Sequence, residues 1–211
     1  MKAFDSYSPV TQQTAQALKK DGYETACRYL GAKTLRLPNG LTPIEVCALH
    51  KEGLSIVSIF ELNPTHIGYF TYAQGLRDAR NAVKEAVWLR QPLHTAIYFT
   101  VDFDAQEQDF LAIFRYFEGV RKNLGSYRLG VYGGIHTVQK LFDSAIRPDF
   151  LWQTIAWSNG QLFDRADVYQ NEVNLMVAGL GIDADETRVA NFGAWSEQKV
   201  KKSIIRRLMK R

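Results

Sequence analysis

The chain has 211 residues, 46% of them hydrophobic, with 26 Lys and Arg against 22 Asp and Glu and a net charge of +4. That length supports one sizeable core and hardly two, and no apolar run approaches the roughly 20 residues of a membrane-spanning helix. Seven of the 26 basic groups, and no acid, fall in the stretch 199–211, which leaves 19 basic against 22 acidic groups in the body, a balance of −3. A nucleic-acid role therefore cannot rest on the basic pI.

Lys2 to Tyr7, KAFDSY, reads as a short strand ending at or near Asp5. Ser8-Pro9 beside Thr11 stops it and starts a helix to Lys20, with Ala15 and Leu18 inward. Gly22 ends that helix, and Thr25 to Leu30 is a second strand, which makes a βαβ opening. Pro38-Asn39-Gly40 marks a turn, and Thr42-Pro43 opens a helix to about Lys51 with Glu45 at capping-box spacing from Thr42. Leu54 to Phe60, LSIVSIF, is nearly continuous in apolar residues, as a strand buried on both faces requires, and it runs into Glu61. Tyr72 to Leu89 then carries Ala79, Ala82, Val83, Ala86 and Val87 at helical spacing.

Thr95 to Asp104, TAIYFTVDFD, is a β-branched and aromatic strand. Strict alternation predicts Ile97, Phe99, Val101 and Phe103 on one side and Tyr98, Thr100, Asp102 and Asp104 on the other. Phe110, Ile113, Phe114, Phe117 and Val120 give an amphipathic helix ending near Leu124-Gly125, followed by a strand at Arg128 to Tyr132, a helix from Ile135 to about Ala145 and a strand at Phe150 to Ala156. From there the rhythm changes, because only Trp157 to Arg165 separates that strand from Ala166 to Asn171, and a last strand-like piece lies near Gly181 to Asp183. Eight strands, the last ones without full crossover helices, predict an α/β fold: a TIM-like (β/α)8 barrel over 1–195 with reduced or missing helices between the late strands. An open doubly wound sheet is the alternative. The segment 196–211 reads as a basic C-terminal helix or tail with Val200, Ile204, Ile205 and Leu208 along one stripe.

In a parallel barrel the active site lies at the carboxyl ends of the strands. Here those ends carry Asp5, Glu61, Asp102, Asp104, Gln170 and Asp183, with Tyr98, Tyr132, Trp152 and Trp157 nearby in sequence. One acidic strand end is an ordinary helix cap; several on separate strands around one opening point to acid–base chemistry, because clustered carboxylates raise at least one pKa toward neutrality. At a rise of about 3.3 Å per residue, Asp102 and Asp104 on one face start roughly 6.6 Å apart, within side-chain reach of the spacing that flanks a glycosidic bond. The pairs Asp102/Asp104 and Asp183/Asp185 would also admit a hard cation. The four histidines form no HExxH pair, GxSxG and the P-loop pattern are missing, and the letters GLGIDA from Gly179 match a dinucleotide fingerprint without the βαβ unit it needs. We therefore expect no cofactor and no metal, and read Cys27 and Cys47 as two buried free thiols.

A set of short motifs in order, FDSYSP (Phe4 to Pro9), SIVSIFE (Ser55 to Glu61), YFTYAQG (Tyr69 to Gly75), IYFTVDFDA (Ile97 to Ala105), LGVYGG (Leu129 to Gly134), WQTIAWS (Trp152 to Ser158), DVYQ (Asp167 to Gln170), GIDADE (Gly181 to Glu186) and FGAW (Phe192 to Trp195), resembles the bacterial glycoside-hydrolase-like TIM-barrel family. That family is in turn similar, more distantly, to the family-25 glycoside hydrolases, muramidase-type lysozymes that cut peptidoglycan between its sugars. The resemblance implies acids at the first strand, at the DxE-like end of the fourth and at the last strand, which map onto Asp5, Asp102, Asp104 and Asp183. The muramidases carry Glu, one methylene longer, where this chain has Asp104.

These features give the expectation of a glycoside hydrolase-like protein acting on peptidoglycan or a related cell-wall polysaccharide. Asp104 would be the general acid, Asp102 the nucleophile or electrostatic stabiliser, Asp5 and Asp183 supporting acids, and Glu61 the substitute acid. Trp157, Tyr98, Tyr132 and Gln170 would line the sugar groove. The alternative is a non-catalytic glycan-binding or phage- or particle-associated module on the same barrel. The expected partner is bacterial cell-wall glycan and not nucleic acid, with the basic tail touching anionic wall polymers or a membrane surface. Since MKAFDSYSPVTQQ lacks a long apolar segment, the expectation is a chain made without a signal peptide, cytoplasmic or released to the wall by lysis or a dedicated export route.

Overall fold

The strands expected from the sequence pair in chain order, and the sheet closes on itself. The computed structural model describes residues 1–198 and 200. Its strands are β1 (Lys2–Asp5), β2 (Tyr23–Tyr29), β3 (Ser55–Phe60), β4 (Ala96–Thr100), β5 (Arg128–Gly133), β6 (Phe150–Thr154), β7 (Val168–Val177) and β8 (Leu180–Thr187). Helices α1 (Gln12–Lys20), α2 (Pro43–Lys51), α3 (Tyr72–Trp88), α4 (Phe110–Asn123) and α5 (Ile135–Asp143) follow the first five strands in turn. Three of them start at a threonine whose hydroxyl accepts an otherwise unpaired N–H: Thr11 from Thr14, Thr42 from Glu45 and Thr71 from Gln74.

Alternation along each strand builds two apolar layers. Cys27, Val57, Ile59, Ala96, Tyr98, Trp152 and Val168 point inward and fill the barrel, while Ala26, Ile56, Phe60, Ile97, Phe99, Leu129 and Val131 point outward beneath the helices. Helices α3 and α4 touch through glycine, since a methyl group on Gly75 would lie 2.0 Å from the Tyr116 carbonyl oxygen. Phe192 to Trp195 straps the base: Tyr98 Oη donates to Phe192 O at 2.8 Å, Ala96 N to Gly193 O at 2.8 Å, and Trp195 bridges Ile56. Gly193 sits at φ +82°, where a side chain would strike Ala96.

The expectation of a parallel barrel needs one correction. β8 runs antiparallel to both β7 and β1, because β7 and β8 are joined only by Ala178 and Gly179, both at positive φ. A two-residue turn of that kind makes a hairpin and leaves no chain for a crossover helix. Two smaller readings also change. Cys27 is buried but Cys47 is exposed, since Val46 and Leu49 hold the inward face of α2. The Glu45 carboxylate does not complete a capping box; it turns to the fully buried Arg28 at 2.6 Å and accepts Val10 N–H at 2.9 Å. The expected basic helix over 196–211, with its stripe and its anionic contacts, lies almost entirely outside the described residues.

Arg28 spends its remaining donors on backbone, giving hydrogen bonds to the carbonyls of Ser6 and, at 3.0 Å, Asn39. One buried guanidinium thus fixes the turns after β1 and β2 together. Arg28→Met should cost about 3–5 kcal/mol in urea unfolding, since it strands the Glu45 charge. Arg28→Met with Glu45→Leu should recover part of that loss; a double variant no more stable than the single one would contradict the ion-pair account.

Candidate active site

The mouth of the barrel is built by the residues that end or follow the parallel strands. β1 ends in Asp5, β3 passes into Glu61, and beyond the last pair of β4 the alternation persists as far as Asp102, whose N–H donates to Pro64 O at 3.0 Å. Asp5, Glu61, Asp102 and Asp183 line one cavity of about 170 Å³, together with Tyr29, Ile59, Thr100, Tyr132, Trp152 and Gln170. The loop carrying Pro64 is itself anchored. Tyr69 Oη donates to Asp78 Oδ2 on α3 at 2.6 Å, and Tyr116 Oη from α4 donates to the same oxygen at 2.9 Å.

Gln170 organises the acidic side. Its Oε1 accepts Tyr132 Oη at 3.0 Å and Thr154 Oγ1 at 2.7 Å, which turns the amide nitrogen toward the carboxylates. Nε2 donates to Asp5 Oδ2 at 2.8 Å and to Asp183 Oδ2 at 3.4 Å. Asp183 Oδ1 accepts Asn174 N–H at 2.7 Å. Below them Trp152 Nε1 donates to Asp185 Oδ1 at 2.9 Å.

Burial sets the charge of this cluster. It is the main cause that lifts the Asp5 carboxyl to about 7; Asp183 adds to the rise, while the Gln170 hydrogen bond and the Arg28 charge oppose it. Glu61 is also raised to about 7, by burial and then by the charge of Asp102. Asp102 is raised by burial, and Asp185 far more so, by burial and then by Asp5. Two acids that exchange protons close to neutrality beside neighbouring carboxyl groups have the property that general acid–base chemistry requires. Among the described residues no group of three or more His, Cys, Asp or Glu is arranged to hold a metal ion.

The structure brings Asp5, Glu61, Asp102, Asp183, Tyr132 and Gln170 together. Asp183 reaches the mouth for a reason opposite to the expected one: β8 is reversed, so its early residues lie there, and Asp183 pairs across from Asp5. Asp104 is not in the cavity. The strand ends before it, Phe103 turns onto Phe70, and Asp104 is exposed with its carbonyl accepting Gln106 Nε2. Tyr98 is fully buried with its hydroxyl bound to the base of the barrel, so it is core rather than groove. Trp157 stands exposed on the turn after β6, outside the cavity lining. Tyr29 and Thr100 were not among the expected site residues, and Asp185, expected only as half of a cation-admitting pair with Asp183, lies beneath the cavity lining. Tyr29 and Thr100 end strands, as the acids do, and Asp185 is two residues from Asp183 on the same strand face.

A closed α/β barrel with a carboxylate-lined mouth is a scaffold that hosts many chemistries, and kinship narrows its class. Residues 16–187 match the family described as Rv2525c-like, glycoside hydrolase-like domain, and the chain belongs to that family. It is 35% identical over 137 residues to the uncharacterized protein FadG of Bacillus subtilis, an alignment covering 62% of this chain and 24% of that protein, so the chain spans about a quarter of the relative's length. Its fold is similar to the Tat-secreted protein Rv2525c of Mycobacterium tuberculosis, in complex with L-tartrate, at TM-score 0.80 and 21% identity over 92% of this chain and 98% of that one. It is also similar in fold to GHIP, a glycosyl hydrolase 25 of Streptococcus pneumoniae, at TM-score 0.59 and 11% identity over 96% and 92% of the two chains.

The raised carboxyls have a thermodynamic consequence. Asp5 and Glu61 keep their protons up to about pH 7 when folded, against ordinary values of 3.8 and 4.5. The stability they contribute is full below that window and is lost as pH rises through it. Thermal unfolding should give a higher Tm at pH 5 than at pH 8, and Asp5→Asn should shrink the difference. An identical pH dependence in that variant would contradict the assignment.

Proposed function

We propose that the cavity cleaves a glycosidic bond in peptidoglycan or a related bacterial cell-wall polysaccharide by carboxylate catalysis. The observation that carries this reading is the convergence of four acids from four strands on one cavity, two of them raised to about 7. The family's glycoside hydrolase-like character and the shared fold of a glycosyl hydrolase 25 support the substrate class. Glu61 takes the general-acid role expected of Asp104, because it lines the cavity and Asp104 does not. Asp102, whose charge bears on Glu61, is the carboxylate that stabilises the oxocarbenium-like transition state or bonds to the anomeric carbon as its bond to the leaving oxygen breaks, that oxygen taking the Glu61 proton. Asp5 and Asp183, joined through Gln170, hold charge and orientation on the opposite wall.

A second reading has its own observation. The position at which muramidases carry their acid is Asp104 here, and it is exposed, which suits a barrel that binds glycan without cutting it. Both readings are tested by reducing-sugar release from purified peptidoglycan, with products identified by mass. Glu61→Gln and Asp102→Asn should each lower the rate by about a hundredfold or more, and Asp104→Asn by no more than a few-fold. Loss with Asp104→Asn and none with Glu61→Gln would reverse the acid assignment. No release by the unaltered protein at any pH from 4 to 8, with binding retained, would favour the binding module.

A further inference from the structure

At about 170 Å³ the cavity falls below the roughly 300–1,000 Å³ of pockets that enclose a drug-sized ligand. It admits the edge of one sugar ring and leaves the rest of any chain on the surface around the mouth. Two exposed aromatics stand there. Tyr7, two residues beyond Asp5, is 69% exposed, and its ring meets that of the cavity residue Tyr29 at 6.3 Å. Trp157, three residues beyond β6, is 37% exposed. In the closed ring of eight strands β1 and β6 are separated by β7 and β8 on one side and by four strands on the other, so the two aromatics stand on turns at separate points of the mouth.

Both are held in place by buried groups beneath them. Ser6, the residue before Tyr7, gives its carbonyl to Arg28 and its hydroxyl to Gly181 O at 2.7 Å. Trp157 sits at φ +54°, a conformation unfavourable for a bulky side chain. The turn is kept there by Ser158, fully buried, which donates to Thr154 O at 2.6 Å and accepts Ile135 N–H at 3.1 Å and Gln153 Nε2 at 3.0 Å. A single exposed aromatic is ordinary surface. Two rings on fixed turns at the rim of a carboxylate cavity offer a platform, and an aromatic face matches the apolar face of a sugar ring.

We propose that Tyr7 and Trp157 are stacking platforms at two points on the rim of the cavity. The ligand is then a stretch of polysaccharide several sugars long, resting on the rim aromatics with one ring at the acids, rather than a free sugar. This rests on the glycan reading of the cavity and adds the length of the chain.

The test is calorimetric binding of peptide-free peptidoglycan glycan strands of one, two and four disaccharide units to the full chain. Affinity should rise with length. Tyr7→Ala and Trp157→Ala should each weaken four-unit binding about threefold to tenfold, with a smaller loss for one unit, and Tyr7→Phe should retain affinity. Unchanged circular dichroism and Tm confirm that the variants fold. Affinity independent of length, or variants that bind four units as the parent does, would overturn the groove and leave the glycan reading standing. Failure of the parent to bind any length would overturn both.

Discussion

The structure depends on the pairing of β8 with β1 in the reverse sense, which sets Asp183 directly across from Asp5 at the seam of the barrel. Two carboxyl groups facing each other on one side of a sheet repel when both are ionised. The arrangement is held by Gln170, whose amide nitrogen reaches both, and by Tyr132 and Thr154, which fix the orientation of that amide. Closure of the sheet and the chemistry of the site therefore rest on the same contact. The burial that completes the barrel also keeps the Asp5 proton.

The supporting structure is polar as much as apolar. Arg28 lies on the outer face of β2, with Tyr29 and its cavity wall on the inner face, and ties the turn after β1 to that after β2. Asp78 plays the matching part on the other side: its contacts with Tyr69 and Tyr116 hold the loop whose Pro64 carbonyl positions Asp102. Buried polar groups with satisfied partners confer a single geometry on a mouth that apolar packing alone would leave loosely defined. The aromatic residues divide by the same logic. Tyr98 fills the barrel below the site, Tyr29, Tyr132 and Trp152 line it, and Tyr7 and Trp157 are left outside.

Kinship with the Rv2525c-like family and the shared fold of a glycosyl hydrolase 25 place this barrel among glycoside hydrolase-like proteins. The wall opposite Asp5 is where it departs from the pattern expected of a muramidase. An acid at the second position of the fourth-strand motif is shorter here and turned away, and Glu61 from the neighbouring strand occupies the cavity instead. The charge of Asp102 bears on Glu61, so two carboxyl groups still meet at that wall, carried just past the ends of β3 and β4.

The sequence by itself determined the strand and helix order, the loss of late crossover helices and the set of strand-end acids, because these follow from local periodicity, capping and turn residues. It also carried Tyr132 and Gln170, which lie on strands recognisable from their own composition. Only the tertiary structure decided that β8 is reversed, that Asp104 leaves the cavity while Glu61 enters it, and that Tyr98 faces the base. Alternation gives the face of a side chain but not the residue at which a strand stops; that depends on where the neighbouring strand ceases to offer hydrogen bonds. Burial and raised pKa values are likewise properties of the closed ring. They arise only when acids distant in sequence are brought together out of water.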